Sequence, residues 1–209
     1  ADAFIQAKDS TTLTVTGDTT NAGALILSTA GTATQNLSVN GFNNTGFIQA
    51  AGGLVLTANG LTLANAGTIV AGDDLEIRGT LATLAITNAA GGALLAGSDT
   101  GDQFLINDTN TAITLTNAVG VAATMGANPT PAIADGTLYG DSVSLTLAGL
   151  TNGGIIQSDA ATTLNITNTL TNSGTVLAGT TLGLTAQHLS NAADAFIQAK
   201  DSTTLTVTG

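Results

Sequence analysis

An asparagine recurs along this chain at the head of a short motif, usually Asn-x-Gly followed by an apolar run. The series is Asn21, Asn44, Asn65, Asn88, Asn117, Asn152, Asn172 and Asn191, spaced by 23, 21, 23, 29, 35, 20 and 19 residues. A carboxamide both donates and accepts hydrogen bonds. Asparagines brought to one corner of a stacked structure can therefore bond to their copies above and below. Asn also tolerates the left-handed backbone of a tight turn. This pattern reads as a turn and a ladder rather than as a catalytic or glycosylated set.

The other groups able to do chemistry are sparse. Asp99, Asp102 and Asp108 lie close together in sequence, but Ca²⁺ needs six or more oxygens, and no Gly-Gly-x-Gly-x-Asp array accompanies them. His188 is the only histidine, and it has no Cys or second His to complete a metal or nucleophilic site. The cations are Lys8, Arg78 and Lys200, too few to stand beside carboxylates as in polysaccharide-cleaving sites. We expect no enzyme activity, no metal and no cofactor. The stretch 118–135 carries Met125, Asn128, Pro129 and Pro131, and these together with Tyr139 just after it are the candidate residues of a recognition loop. Two prolines this close cannot sit in a central strand ladder, so an outward loop is expected. Such a loop serves either as a recognition or lateral-packing element or as a tolerated insertion. A Thr-rich series (Thr12, Thr14, Thr16, then Ser144 and Thr146, then Asn165 and Thr167) suits an exposed strand face. Glu76, Arg78 and Val55 interrupt it, which argues against a lattice-matching ice surface.

Composition narrows the classes further. Three cations against 14 carboxylates give a net charge of −11, so neutralising a run of phosphates is out of reach and no nucleic-acid partner is expected. Without Cys there is no disulfide framework. No apolar run reaches the roughly 18 residues of a membrane helix, so no membrane insertion is expected. With 43% hydrophobic and only 8% charged residues, the chain is not of the disordered type.

These residues must be positioned by repeating elements. Residues 1–17 and 193–209 are identical, which defines a unit of 192 residues. Within it the asparagines mark eight coils, the last closing onto the next unit after 22 residues. Each coil holds three apolar bursts. The first follows the Gly and centres on Ile48, Ile69, Ile156 or Val176. The second alternates, as in Leu13/Val15, Leu37/Val39, Leu75/Ile77 and Leu182/Leu184. The third precedes the next Asn, as in Leu61/Leu63, Leu84/Ile86 and Ile113/Leu115. Alternation with period two means strands buried on one face. The prediction is all-β: a parallel β-helix solenoid over residues 1–209, with a loop insertion at 118–135 and essentially no helix. Ala1 brings neither Met nor a basic leader segment, and we expect the chain to be one unit of an uninterrupted fibre.

The pattern Asn-x-Gly-x-Ile-x-Ala…Leu-x-Leu…Leu-x-Asn, best carried by 65–88 and 152–191, resembles the haemagglutinin-type repeat of filamentous haemagglutinin and related two-partner secretion exoproteins. That resemblance implies a right-handed β-helical shaft, export across a bacterial outer membrane, and a role in adhesion, biofilm or cell contact. The expected function is a structural shaft or fibre repeat of a giant surface-exposed or secreted filament or adhesin. Its expected partners are neighbouring copies of the same repeat. The alternative is a module that recognises a cell-surface glycan or protein through the 118–135 loop or the Thr-rich face. Identical tandem units, unlike the family's divergent repeats, favour the spacer.

Overall fold

The computed structural model describes residues 4–108, 110–120 and 134–209. Among these residues every regular element is a strand, and every strand pair is parallel. The chain winds as a β-solenoid in which each coil contributes strands to the same ladders.

The first ladder contains nine strands, from Phe4–Gln6 through Phe47–Ala50, Thr68–Ala71 and Thr175–Ala178 to Phe196–Ala199. The second runs through Thr12–Thr14, Gln35–Val39, Leu54–Ala58, Leu75–Gly79, Gln103–Asn107 and Ser142–Leu147. The third runs through Thr19–Asn21, Phe42–Asn44, Thr62–Asn65, Thr83–Asn88, Ala112–Asn117 and Gly149–Asn152. In the last coils the second and third ladders fuse. Thr162–Asn172 and Thr181–Asn191 each run through both, with a register shift between Ile166 and Thr169. The sequence presents two apolar bursts there, and the structure joins them into one 11-residue strand.

Alternation explains the core. In the first ladder Ile48, Ile69, Leu94, Leu138, Ile156 and Val176 stack in register and are fully buried. In the third, Leu63, Ile86, Leu115, Leu150 and Leu170 do the same. Each such side chain contributes about 1.5–3 kcal/mol by leaving water. A narrow interior suits aliphatic side chains, and among the described residues Phe104 is the largest that is fully buried. Polar residues that enter this core bring partners. Thr162 continues the Leu54–Leu75–Phe104–Val143 column, and its hydroxyl lies 2.8 Å from that of Ser158. Gln35 opens that column, donating to the Ala33 carbonyl at 2.6 Å and accepting from the Thr11 N–H.

Candidate functional site

The chain returns from the third ladder to the first at one corner, and the eight asparagines meet there. Each Nδ2 donates to the Oδ1 of the Asn one coil on. The distances are 2.8 Å for Asn21 to Asn44, 2.7 Å for Asn44 to Asn65, 2.8 Å for Asn65 to Asn88 and 2.9 Å for Asn88 to Asn117. They continue at 2.9 Å for Asn117 to Asn152, 2.8 Å for Asn152 to Asn172 and 2.8 Å for Asn172 to Asn191. The six interior members are essentially sealed from water. Their remaining donor capacity goes to backbone. Asn65, for example, also reaches the carbonyls of Gly67 at 3.0 Å and Ala93 at 3.1 Å. A buried amide with every valence matched costs little, whereas an orphaned one costs about 1–3 kcal/mol.

The Gly of Asn-x-Gly has an equally definite cause. The carbonyl of each corner Gly accepts the N–H that starts the next coil's first strand, as Gly46 does from Thr68 at 2.9 Å and Gly154 from Thr175 at 2.9 Å. The next Gly passes directly over that carbonyl. A Cβ on Gly67 would collide with the Gly46 oxygen, and one on Gly174 with the Gly154 oxygen. Two corners are longer by two residues. In them Asn88 bonds to Gly92 and Asn191 to Ala195, and the extra turn needs a left-handed residue, Gly91 at φ 79° and Asp194 at φ 66°.

The opposite corner, between the first and second ladders, is acidic. Asp74, Asp102, Asp141 and Asp159 occupy it in successive coils. Each finds a different donor: Gln103 N–H for Asp74 at 2.8 Å, Asp99 N–H for Asp102 at 3.0 Å, Gly101 N–H for Asp141 at 3.0 Å and the Tyr139 hydroxyl for Asp159 at 2.5 Å. Desolvation raises the Asp102 carboxyl above its ordinary value, and neighbouring Asp73, Asp99 and Asp74 raise it further against the opposing Asp99 hydrogen bond. The bond to Asp159, with lesser help from burial and from the charges of Asp159 and Asp141, pushes the Tyr139 phenol up to about 12.

Asp108 lies elsewhere, at the turn between the second and third ladders. It accepts from Asn110 N–H at 2.9 Å and Gly79 N–H at 3.2 Å. Burial pushes its carboxyl up, but these bonds and those from Thr111 outweigh it, so the carboxyl is held below its ordinary value. A groove of about 420 Å³ runs past it, between Ala82, Thr111 and Ala148. Asp99 and Asp102 are thus separated from Asp108, and among the described residues no three metal-ligating side chains converge. His188 is exposed and pairs in register with Thr169.

Tyr139 corrects the sequence reading. It does not belong to the loop region but to the first-ladder strand Thr137–Gly140, in register with Leu95 and Gln157. The apolar–polar alternation of Thr-Leu-Tyr-Gly, with Leu138 buried, was the signal for that strand. Met125, Asn128, Pro129 and Pro131 lie outside the described residues. The ends of their segment are pinned together, by Gly120 N–H to Asp135 at 2.6 Å and Gly136 N–H to the Ala118 carbonyl at 2.9 Å. The buried polar residues Gln35, Ser158 and Thr162 escaped the sequence reading, because each sits at an inward strand position where an aliphatic residue is expected.

No protein-family model, curated protein or solved structure matches this chain.

Proposed function

We propose that this chain is a structural repeat: one period of a shaft in an exported bacterial filament or adhesin. The observation that carries this reading is the asparagine ladder. It stays bonded across coils whose lengths range from 19 to 35 residues, so coils of different length keep the same stack. Coil identity adds to it. Residues 193–209 repeat 1–17, so a following unit would find there the surface on which Ala24–Ile26 and Gln35–Val39 already pair. The likeness of the Asn-x-Gly repeats to the haemagglutinin type supports export to the bacterial surface. Neighbouring repeats are then the main partners, and catalysis plays no part.

Electron microscopy of an array of successive units tests the proposal. Eight coils per unit at about 4.8 Å each give an axial repeat of roughly 38 Å. Beaded globules, or filaments without that repeat, would overturn it. Deleting residues 120–135 separates the shaft from a recognition module. The shaft reading expects an unchanged β-sheet circular dichroism spectrum and no loss of function as a spacer. Saturable binding of one glycan class by the intact unit, lost with the deletion, would replace the shaft reading with recognition.

A further inference from the structure

The three outer faces of the solenoid differ. The second ladder presents Thr, Ser and Asn together with Val55, Leu105, Glu76 and Arg78, and the third presents mainly Thr. Outward positions of the first ladder carry no Asp, Glu, Lys or Arg in any coil. Instead Phe47, Val70, Leu95, Tyr139, Ile155 and Leu177 lie there, exposed or half-buried, on a ladder that runs without a register shift. Thr68, Thr137, Thr175, Gln49 and Gln157 stand among them, so the face is uncharged and largely apolar, and it is an unpartnered surface.

We infer that this face pairs side by side with the same face of a second copy, the two shafts running parallel. Size supports the occupant. Nine strands span roughly 38 Å and four residues span roughly 13 Å, which gives about 500 Å² per copy and about 1,000 Å² per pair. That is at the threshold of a specific interface. One unit therefore pairs weakly, and joined units pair strongly because each contact raises the effective concentration of the next.

Charge decides the direction. One border of the face is the acidic corner, with Asp74, Asp102, Asp141 and Asp159 in its middle coils and Lys8 and Lys200 at its ends, and the other is the Asn–Gly corner, where the charges among the described residues are the two carboxylates Asp135 and Asp194. A two-fold axis across the shafts would set acidic border against acidic border. A two-fold axis along them sets each acidic border against the partner's Asn–Gly border and brings equal coils to equal height. Like charges placed opposite one another are unfavourable, so the parallel pair is selected. The inference depends on the fold alone, and it stands whether or not units are joined end to end.

The chain has no Cys, so introduced thiols report cleanly. Sedimentation equilibrium of the full chain should show a reversible dimer that tightens with salt. Leu95→Asp should weaken it at least tenfold. Val55→Asp, on the outer side of the second ladder, should leave it unchanged, with both variants keeping the parent circular dichroism spectrum. Gln49→Cys and Gln157→Cys lie two strands either side of the middle of the face. In the parallel pair each crosslinks to its own copy. Crosslinking only in a mixture of the two variants would mean an antiparallel pair and would overturn the inference. A chain that stays monomeric to millimolar concentration would also overturn it.

Discussion

The two corners that flank the first ladder solve the same problem in opposite ways. Both must turn the chain between strands and place polar groups at equal heights in consecutive coils. At one corner the polar group is a carboxamide, which offers a donor and an acceptor, so each copy satisfies the next and the stack can be buried. At the other it is a carboxylate, which offers only acceptors and a charge. Copies cannot bond to one another, so every Asp takes a different donor and the corner stays in contact with water. A solenoid can therefore repeat an amide without limit along its axis, but it can repeat a carboxylate only where solvent screens it.

Exchanging the two groups is the strongest way to break this comparison. Asn88→Asp keeps the shape but loses the donors to Asn117, Gly92 and Thr137, and it sets a buried charge against their oxygens. The expected loss is about 3–5 kcal/mol at neutral pH, read by denaturant unfolding. The introduced carboxyl would titrate above its ordinary value when folded. Its neutral form is then tolerated at low pH, and the deficit grows as pH rises through that raised pKa. A deficit that does not depend on pH would show that shape, not charge, governs the corner.

Gly154→Ala tests the backbone half of the same corner. The new Cβ meets the Gly136 carbonyl oxygen, and the expected loss is about 1–3 kcal/mol. The same change at Gly183, which has open space around it, should cost far less.

Tyr139 sharpens the acidic side. It is the only tyrosine in a chain without Trp, so ultraviolet absorbance follows a single phenol. Titration should centre near 12 rather than at the ordinary 10. The phenol's folded pKa is raised, so its contribution to stability is complete below pH 10 and is lost as pH climbs from 10 towards 12. Asp159→Asn should return the midpoint towards 10.

The smallest expected effect is the reciprocal exchange. Asp102→Asn keeps an acceptor for the Asp99 N–H and removes a charge crowded by Asp73, Asp74 and Asp99. With its folded pKa raised, Asp102 contributes most at low pH and loses that contribution as pH rises. The Asn variant should therefore be equal or slightly more stable at pH 7 and show no advantage below pH 4. Marked destabilisation at pH 7 would mean that the carboxylate holds its turn by more than one hydrogen bond.

Much of this fold is legible in the sequence, because a solenoid makes the same physical demand in every coil. Ile48, Ile69 and Val176 recur at one position since each buries the same face. Asn44, Asn65 and Asn172 recur with Gly two residues on, since one corner needs both the amide and the bare backbone. What the spacing obscured was set by particular neighbours. Tyr139 follows the proline segment so closely that spacing groups it with the loop, although its own alternation belongs to the strand. The acidic corner offers no periodic signal, since Asp74 and Asp141 cap different turns. The fused strand Thr162–Asn172 carries a register shift between Ile166 and Thr169, which hydrophobic alternation does not encode.

The ladder also gives the shaft a mechanical character. Its seven side-chain bonds and the backbone bonds between coils all point along the axis. Axial tension therefore loads every bond between two adjacent coils at once, and one coil separates from the next only when all of them fail together. A sideways pull on a free end opens the same bonds one after another. The molecule should behave as a stiff strut under stretch and as a zip under peeling, with the buried amide in each coil as the last catch to let go.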